Sequence, residues 1–384
     1  MQAPDVIRTT DRIEPPPEAQ QRVPGIAIVV PTFSEAANIR ELYTRLVAVL
    51  GRERWELIFV DDDSPDGTAE MARELASVDY RVRCIQRIRR RGLSTAVVEG
   101  AMSTAAPLVA VMDADMQHDE SILPAMIETL RSGNLDIVIG SRHVDGGSTG
   151  NWERRRENMS RIAGRLAKGL VPENLHDPMS GYFVVKTSVL RDTARRLSGY
   201  GYKILLDLFV SAERPLRFAE IPFTFRRRAH GQSKLDSLVA WEYLMLLVDK
   251  RIGRIIAPRL LFFVMVGGSG VVLHYLVLTT LFLGAGLSFT VAQLGGTVIA
   301  MTSNFFVNNL FTYRDKRLRG AKLVRGLLSF YAICGMGAMA NIGMAAYAFS
   351  RNVEWALSAA AGIVVGTLWN YLATQRFTWG SSRK

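Results

Sequence analysis

Four long apolar stretches in the last third of the chain constrain the fold more than any other feature. They lie at about residues 260–283, 289–311, 327–349 and 355–374, and they are nearly free of charged residues. A helix needs about 20 apolar residues to cross the hydrocarbon core of a bilayer. Inside that core only helices and closed barrels satisfy their backbone hydrogen bonds. The sequence therefore predicts four transmembrane helices in an all-α domain over residues 259–384.

Charged residues between these stretches predict their orientation. The loop at 314–325 carries six basic residues and one acidic residue, whereas the loops at 284–288 and 350–354 carry only Arg351 and Glu354. Because Lys and Arg are in excess in cytoplasmic loops, we expect the basic loop, the long N-terminal part and the C terminus to be cytoplasmic. The net charge of +11 thus reflects membrane topology, and no nucleic-acid partner is expected.

The apolar part also contains an internal repeat. Segments 304–313 and 370–379 share an Asn, an aromatic residue and a final Phe-Thr-aromatic sequence, at an offset of 66 residues. At an offset of 67 residues, Gly268, Gly270 and His274 align with Gly335, Gly337 and Asn341. The repeat predicts two helical hairpins of parallel topology, as in some transporters. Chance similarity between apolar helices is the alternative.

The N-terminal part has a different pattern, in which short β-branched runs alternate with helical stretches. The runs lie at 26–30, 56–60, 82–85, 108–112 and 136–140. This alternation indicates a buried, mostly parallel sheet of the α/β class. We expect one domain over residues 23–235, preceded by a disordered polar tail over residues 1–22. Residues 236–258 mix apolar and charged side chains and predict an amphipathic helix at the membrane surface.

Polar motifs follow three of the predicted strands, at the edge where α/β sheets bind their ligands. These motifs are PTFSE (31–35), DDDSPDGT (61–68) and DADMQH (113–118). In the third motif Asp113, Asp115 and Gln117 offer oxygen ligands that suit Mg²⁺ or Mn²⁺. Such an ion would neutralise the charge that develops on a diphosphate leaving group. A solvated loop is the alternative for two acids at this spacing.

Three consecutive acids, Asp61 to Asp63, allow two interpretations. Crowded like charges are costly unless something binds them, and the base and ribose of a nucleoside offer hydrogen-bond donors. Acids are also stabilising near the start of a helix, and a helix is predicted to begin between Ser64 and Thr68. Asp63 and Ser64 are the better candidates for that capping role.

Eight sequence blocks follow the order, and nearly the spacing, of one known enzyme family. The blocks are PTFSE, VDDDSPDGT, RGLSTAVVEG, MDADMQH, GSRHVDGG, HDPMSGYF, GYKILLDL and EIPFTFRRRAHGQSKL. Over about residues 24–257 the chain resembles the polyprenyl-phosphate (dolichol-phosphate) mannose synthases, which are glycosyltransferases of family 2. The C-terminal part resembles the GtrA-like four-helix membrane domain. The resemblance implies a Rossmann-like GT-A domain, then interfacial helices, then the transmembrane domain.

The resemblance also implies site residues. Nucleotide-sugar binding falls to Pro31, Thr32, Phe33, Glu35, Asp61, Asp62, Asp63, Asp113, Ala114, Asp115, Arg228 and Lys234, although the family often has Tyr-Asn at the Phe33-Ser34 position. The metal ligands are Asp113, Asp115 and Gln117, and the lipid phosphate is bound by Arg142, Arg156 and Ser160. The residues implied to be catalytic are Asp113, Asp115, Arg142, Arg228 and Lys234. Asp177 is expected to orient a sugar hydroxyl or the acceptor.

The implied reaction is transfer of mannose from GDP-mannose to a polyprenyl phosphate, with inversion and with Mg²⁺ or Mn²⁺ as the cofactor. Its products are polyprenyl-phosphate mannose and GDP. One alternative is a UDP-sugar donor of the glucose type. Another is that the membrane domain flips the glycolipid product, since polar residues such as His274 and Asn304 are expensive inside a bilayer. These polar residues also suit hydrogen bonds between helices, which is the preferred interpretation, and a homo-oligomer is a third possibility.

Overall fold

The structure is a computed structural model, and it describes residues 23–51, 53–150, 163–164, 166–167, 169–198, 203–228, 237–252, 258–313 and 316–380. The chain divides into two units, Met1–Arg251 and Ile252–Lys384. The predicted disordered tail at residues 1–22 lies outside the described residues.

A single seven-stranded sheet forms the centre of the N-terminal unit. Its strands are β1 (Ile26–Thr32), β2 (Trp55–Asp61), β3 (Val82–Gln86), β4 (Leu108–Val111), β5 (Ile137–Ser141), β6 (Phe183–Lys186) and β7 (Phe218–Pro222). They lie in the order β3-β2-β1-β4-β6-β5-β7. The first four strands are parallel to one another, so the carboxyl ends of β1 to β4 meet at one edge.

Helices cover both faces of this sheet. They are α1 (Ala36–Leu50), α2 (Thr68–Val78), α3 (Leu93–Met102), α4 (Leu123–Ser132), α5 (Thr187–Ala194) and α6 (Ile204–Ser211). Because side chains alternate along a strand, Ile26 and Ile28 pack with Leu42 of α1, while Ala27 and Val29 belong to the cluster of α3, α5 and α6. Apolar runs that are buried on both faces therefore specify a three-layer α/β unit.

The sheet differs from the prediction at its far side. β6 and β7 were not predicted, and β6 runs antiparallel to both β4 and β5. A parallel pair needs a crossover, usually a helix, whereas β6 is a four-residue strand that follows a long irregular segment. The sheet is therefore mixed, with its parallel part at β1 to β4 and a parallel β5–β7 pair.

Helix α7 (Ser237–Ile252) closes the N-terminal unit and packs on it. Tyr243 is buried in a cluster that includes Leu206 of α6, and its hydroxyl donates to the carbonyl of Ala163 at 2.6 Å. The Lys250 ammonium lies 2.7 Å from the buried carboxylate of Asp207. Part of the apolar surface of α7 thus contacts protein, and a position at the membrane surface stays a prediction.

Four long helices and short connections form the described part of the C-terminal unit. Its helices are α8 (Pro258–Thr279), α9 (Phe289–Val307), α10 (Ala321–Ser350) and α11 (Trp355–Ala373). Short π-helical turns follow three of them, at Thr280–Gly284, Asn308–Thr312 and Thr374–Thr378. Among the described residues, two segments are long and apolar enough to cross a membrane, Arg259–Gly284 and Ala321–Asn341.

Equivalent positions of the sequence repeat make equivalent contacts. A Cβ atom added to Gly270 would overlap the side chain of Asn304, and one added to Gly337 would overlap Asn370. Glycine therefore lets the two helices of each hairpin approach closely beside a polar side chain. Both Phe-Thr-aromatic ends form π-helical turns, and their rings, Tyr313 and Trp379, stack with centroids 4.1 Å apart. These contacts support a duplicated hairpin of parallel topology.

The close approach of α3 to the sheet gives a stability prediction. A Cβ at Gly100 would lie 2.5 Å from Cγ1 of Val29 and 3.0 Å from Cγ2 of Val60, and both valines are fully buried. Gly100→Ala should therefore lower the melting temperature by roughly 5 °C, because overpacking outweighs the better helix propensity of Ala. Thermal unfolding in detergent measures the change. Gly164→Ala is the matched control, since its Cβ would meet nothing within 4 Å, and equal melting temperatures for both variants would contradict the packing argument.

Candidate active site

Backbone strain marks the edge where β1 to β4 end. Among the described residues of the N-terminal unit, the non-glycine residues with positive φ are Ser34, Asp63, Arg89 and Met116. Each lies in the loop after one of these four strands, in the order β1, β2, β3 and β4. Such conformations cost free energy and concentrate at functional sites. The four loops therefore define the candidate site independently of any motif.

Hydrogen bonds join the first two loops below the cleft. The fully buried carboxylate of Asp61 accepts from the hydroxyl of Thr32 at 3.1 Å and from the backbone N–H and hydroxyl of Ser64 at 2.9 and 2.5 Å. The Ser64 hydroxyl in turn accepts from the backbone N–H of Ser34 at 2.9 Å. Asp61 thus organises both loops, while Pro31 and Thr32 lie within β1 itself.

Neither Asp63 nor Ser64 caps helix α2. The helix begins at Thr68, the last position of the expected range, and its N-cap is Gly67, which has no side chain to accept a hydrogen bond. The Asp66 carboxylate just before it accepts from the backbone N–H of Thr68 at 3.2 Å and of Ala36 at 3.1 Å. Burial opposes ionisation of Asp66, but these hydrogen bonds keep its pKa below the usual value.

An ion pair joins the third loop to the second. Arg87 is buried and lies 2.9 Å from Asp62, whose other oxygen accepts from the backbone N–H of Gly92 at 2.6 Å. Asp63 accepts from Gln86 at 3.2 Å and stays partly exposed. Arg91 places its guanidinium carbon 4.1 Å from the centre of the Phe33 ring. An aromatic ring, a carboxylate and a cation thus border the edge predicted to bind the nucleotide.

The fourth loop brings three predicted residues together. The Arg228 guanidinium lies 2.8 Å from the carboxylate of Asp115 and 3.4 Å from the side-chain oxygen of Gln117. Asp115 also accepts from the backbone N–H of Gln117 at 3.1 Å. Ala114 is buried in the same loop, between the two acids.

A second arginine, Arg226, supports this loop from the neighbouring chain segment. The backbone N–H of Arg226 donates to the carbonyl of Gln117 at 3.0 Å, and the side-chain amide of Gln117 donates back to the carbonyl of Arg226 at 3.2 Å. The Arg226 guanidinium binds Asp119 at 2.7 Å and Glu120 at 2.8 Å. In the sequence Arg-Arg-Arg at 226–228, the first and third residues thus have separate partners. Arg226 binds the end of the loop, and Arg228 binds Asp115.

Asp113 faces the cleft with 38% of its side chain exposed and is enclosed by protein on its other sides. This enclosure raises the pKa of Asp113, Glu35 raises it further, and the charges of Lys203, Arg228 and Arg142 oppose the rise. The pKa of Asp115 is raised first by burial and then by the charge of Asp113. Two carboxylates in one enclosed space therefore destabilise each other's ionised form.

Arg142 is held by a buried partner. Its Nε and Nη2 atoms each lie 2.7 Å from an oxygen of Asp177, and its backbone N–H donates to the same carboxylate at 3.1 Å. Burial opposes ionisation of Asp177, but the hydrogen bonds and charge of Arg142 keep its pKa below the usual value. Glu220 accepts from the backbone N–H groups of His176 and Asp177 and fixes that turn. Asp177 therefore positions Arg142, and the role expected for it in orienting a sugar hydroxyl or the acceptor stays a prediction.

The residues present fit a divalent cation. Asp113 and Asp115 supply two crowded carboxylates with raised pKa values, and Gln117 adds an amide oxygen beside them. A bound dication would relieve the repulsion between the acids, and oxygen donors suit Mg²⁺ or Mn²⁺. No group of three or more His, Cys, Asp or Glu side chains that could hold a metal occurs in the described part of the chain, so the amide is needed to complete this set.

Three predicted site residues, Arg156, Ser160 and Lys234, lie outside the described residues. Sequence reasoning did not assign a role to Lys203, although its charge acts on Asp113 and its ammonium donates to the carbonyl of Met179 at 3.0 Å. His118 was likewise given no role. Both residues stand inside quoted blocks, GYKILLDL and MDADMQH, which was the available signal.

Comparisons with known proteins identify the class of both units. Residues 27–193 match the family described as "Glycosyl transferase family 2". Residues 262–379 match "GtrA/DPMS, transmembrane domain". The chain is thus a family 2 glycosyltransferase followed by a membrane domain of the GtrA type, and the fold class expected from the sequence is confirmed.

Individual relatives narrow the class. A dolichol-phosphate mannosyltransferase of Pyrococcus furiosus is 33% identical over 93% of this chain and 99% of its own length. Enzymes of the same name from Mycosarcoma maydis and Saccharomyces cerevisiae are 37% and 35% identical, over 59% and 62% of this chain and 79% and 91% of their own lengths. The chain belongs to the dolichol-phosphate mannosyltransferase family, which confirms the family predicted from the eight blocks.

The buried pair of Arg142 and Asp177 gives a prediction on stability. Arg142→Met and Asp177→Asn should each cost about 3 kcal/mol, because either one leaves an unpaired buried group. The loss in free energy of unfolding in the double variant should be smaller than the sum of the two single losses by at least about 1 kcal/mol. Chemical unfolding of the four proteins in detergent measures this coupling.

The control is the exposed pair of Arg131 and Glu53, which lies at 3.0 Å, against 2.7 Å for the buried pair, and has about a third of each side chain exposed. Its coupling should stay below about 1 kcal/mol. Equal coupling in the two pairs would contradict the importance of burial for Arg142.

Proposed function

We propose that this chain transfers mannose from GDP-mannose to the phosphate of a polyprenyl lipid of the dolichyl type, with inversion at the anomeric carbon. The observation that supports this most is the meeting of Asp113 and Asp115 with Arg228, Lys203 and Arg142 at the strand edge. Two acids that can hold a dication, surrounded by cations, suit a reaction between two phosphate compounds. Membership in the dolichol-phosphate mannosyltransferase family agrees with it.

The donor would lie over the ends of β1 and β2, with its diphosphate toward the fourth loop. When bound, a divalent metal supplies charge neutralisation to the departing diphosphate. Asp113, Asp115 and Gln117 would hold that ion. Arg228 lies 2.8 Å from Asp115, so its guanidinium is placed to exchange this carboxylate for a diphosphate oxygen, and Arg binds phosphate with parallel hydrogen bonds. We expect the same of Lys234.

The acceptor would bind on the Arg142 side of the cleft. A phosphate monoester has a second pKa of about 6, so its oxygen is already ionised at neutral pH. The attack by this oxygen therefore needs no strong general base. Asp177 fixes the guanidinium of Arg142, which would turn the phosphate oxygen toward the anomeric carbon. Arg156 and Ser160 are expected to complete this site. The sugar–diphosphate bond breaks as the sugar–lipid phosphate bond forms, and GDP leaves with both electrons of the broken bond.

A lipid acceptor also accounts for the second unit. A polyprenyl chain stays in the bilayer, so the enzyme must work at its surface. We propose four membrane spans, corresponding to α8 to α11, with the catalytic domain over residues 23–235 and the C terminus in the cytoplasm. Residues 236–258 would lie at the interface. A homo-oligomer through the membrane helices stays a prediction.

The acids of the metal site give the central prediction. Asp113→Asn and Asp115→Asn should each lower sugar transfer at least about 100-fold, because each removes charge that would hold the metal against the diphosphate. Radiolabelled transfer from GDP-mannose to polyprenyl phosphate with Mn²⁺ measures it. Asp192→Asn, an exposed acid on α5, is the control and should retain full activity. Normal metal-dependent turnover in the Asp113 or Asp115 variant would refute the assignment.

A UDP-sugar donor of the glucose type is the rival within enzymes. A panel of labelled GDP-mannose, UDP-glucose and other nucleotide sugars, followed by mass analysis of the lipid extract, separates the two. GDP-mannose should give a product at least about tenfold faster than any other donor, which corresponds to about 1.4 kcal/mol of discrimination. A faster product from UDP-glucose would overturn the choice of donor and leave the reaction class unchanged.

A flippase role for the C-terminal unit is a second candidate, favoured by its repeated hairpins. The polar residues Asn304 and Asn370 each pack against a glycine of the neighbouring helix, which suits helix packing. We therefore prefer the anchoring role.

A further inference from the structure

A buried histidine lies directly behind the first acid of the candidate metal site. His118 is only 3% exposed, and its ring stacks on Tyr182 with centroids 5.0 Å apart. The rings of Phe223 and Phe225 meet it edge-on, each at 5.9 Å. Three aromatic walls therefore fix the plane of the imidazole, so that its two nitrogens have defined directions.

Both nitrogens of this ring lie near Asp113. Nδ1 accepts from the backbone N–H of Asp113 at 3.0 Å. A neutral imidazole carries one proton, so a ring that accepts at Nδ1 bears its hydrogen on Nε2. Nε2 lies 3.8 Å from Oδ2 of Asp113, which is about 1 Å longer than a hydrogen bond. A small movement of the carboxylate would therefore bring it within reach of the N–H of the ring.

We propose that His118 is a positioning residue for the divalent metal. Its Nδ1 holds the backbone of Asp113, and its Nε2–H would orient the Asp113 carboxylate when the metal binds. This inference rests on the proposed function, because it requires Asp113 to be a metal ligand. His118 itself does not bind the ion. With the metal bound, one oxygen of Asp113 would accept from the imidazole N–H, and the other oxygen would be left for the metal.

The arrangement suits this role for a physical reason. A carboxylate that is 38% exposed can rotate, and each extra rotamer weakens its binding of a metal. A hydrogen bond from outside the ligand set fixes one orientation, and the loss of such partners typically lowers metal affinity about 10- to 100-fold. A neutral imidazole gives this hydrogen bond without adding a positive charge that would repel the ion.

Two substitutions separate the two nitrogens. In His118→Asn the side-chain oxygen takes the place of Nδ1 and the donor at Nε2 is lost, whereas in His118→Gln the amide nitrogen reaches the place of Nε2. Binding of Mn²⁺ alone is measured on the full-length protein in detergent, from the loss of the electron paramagnetic resonance signal of the free ion. His118→Asn should weaken Mn²⁺ binding about 10- to 100-fold. His118→Gln should retain more of the affinity than His118→Asn.

A matched control disturbs the same aromatic cluster but not Asp113. Tyr182→Phe keeps the stacked ring and removes the hydroxyl that donates to the carbonyl of Asp119 at 3.1 Å. It should bind Mn²⁺ as the unchanged protein does. Unchanged Mn²⁺ affinity in His118→Asn would overturn the proposal, and so would an equal loss in Tyr182→Phe.

The unchanged protein offers a second test that needs no variant to fold. In a crystal structure with Mn²⁺ bound, Nε2 of His118 and the nearer oxygen of Asp113 should approach to about 2.8 Å. A ring turned away from Asp113 in that structure would contradict the inference. Because both readouts use Mn²⁺ without a sugar donor, failure of mannose transfer would count against the proposed function and not against this role of His118.

Discussion

Repulsion between two enclosed carboxylates is the constraint on which the N-terminal unit depends. Asp113 and Asp115 are separated by one residue after a buried strand. Burial raises the pKa of both, and the charge of Asp113 raises that of Asp115 further. Such a pair persists only where cations offset it. Arg228 does so by direct contact, while Lys203 and Arg142 act through their charge. The irregular segments after β4, β5 and β7 therefore bring the two acids together with cations that offset their charge.

The loops pay for that order with conformational strain. Positive φ angles at Ser34, Asp63, Arg89 and Met116 are tolerated because hydrogen bonds between loops over-determine them. Asp61 and Asp62 contribute these bonds from below the cleft, toward Ser64 and Gly92. Asp61 and Asp62 are therefore buried, and Asp63 is the most exposed of the three consecutive acids. Loops that are cross-linked in this way suit substrate positioning.

Much of the fold followed from local pattern, and much of the site did not. Buried runs such as IAIVV and ELIFV predicted β1 and β2, because alternation with helices is a local property of the chain. The antiparallel β6 was missed because its pairing depends on a long irregular connection. The partners of Asp61 and Asp177 were missed for a similar reason, since Thr32 and Arg142 lie 29 and 35 residues away. The family resemblance indicated which residues belong to the site, and only the structure showed which of them contact each other.

The membrane unit shows what duplication adds. Tyr313 and Trp379, at equivalent positions of the two hairpins, stack with an interplanar angle of 8°, and the side-chain oxygen of Asn309 accepts from the indole N–H of Trp379 at 3.1 Å. A hydrogen bond and a ring stack at one end thus join the copies. In a bilayer, where apolar burial drives little association, packing and polar contacts of this kind hold helices together.

The central claim is that a metal ion on Asp113 and Asp115 contacts the donor diphosphate, and phosphorus hyperfine spectroscopy tests it most directly. Electron–nuclear double resonance would be recorded on the full-length protein with Mn²⁺ and GDP. The account predicts strong ³¹P coupling to the bound Mn²⁺, which is lost in Asp115→Asn. Bound Mn²⁺ without phosphorus coupling, together with GDP binding that is equally tight in the absence of the metal, would contradict it.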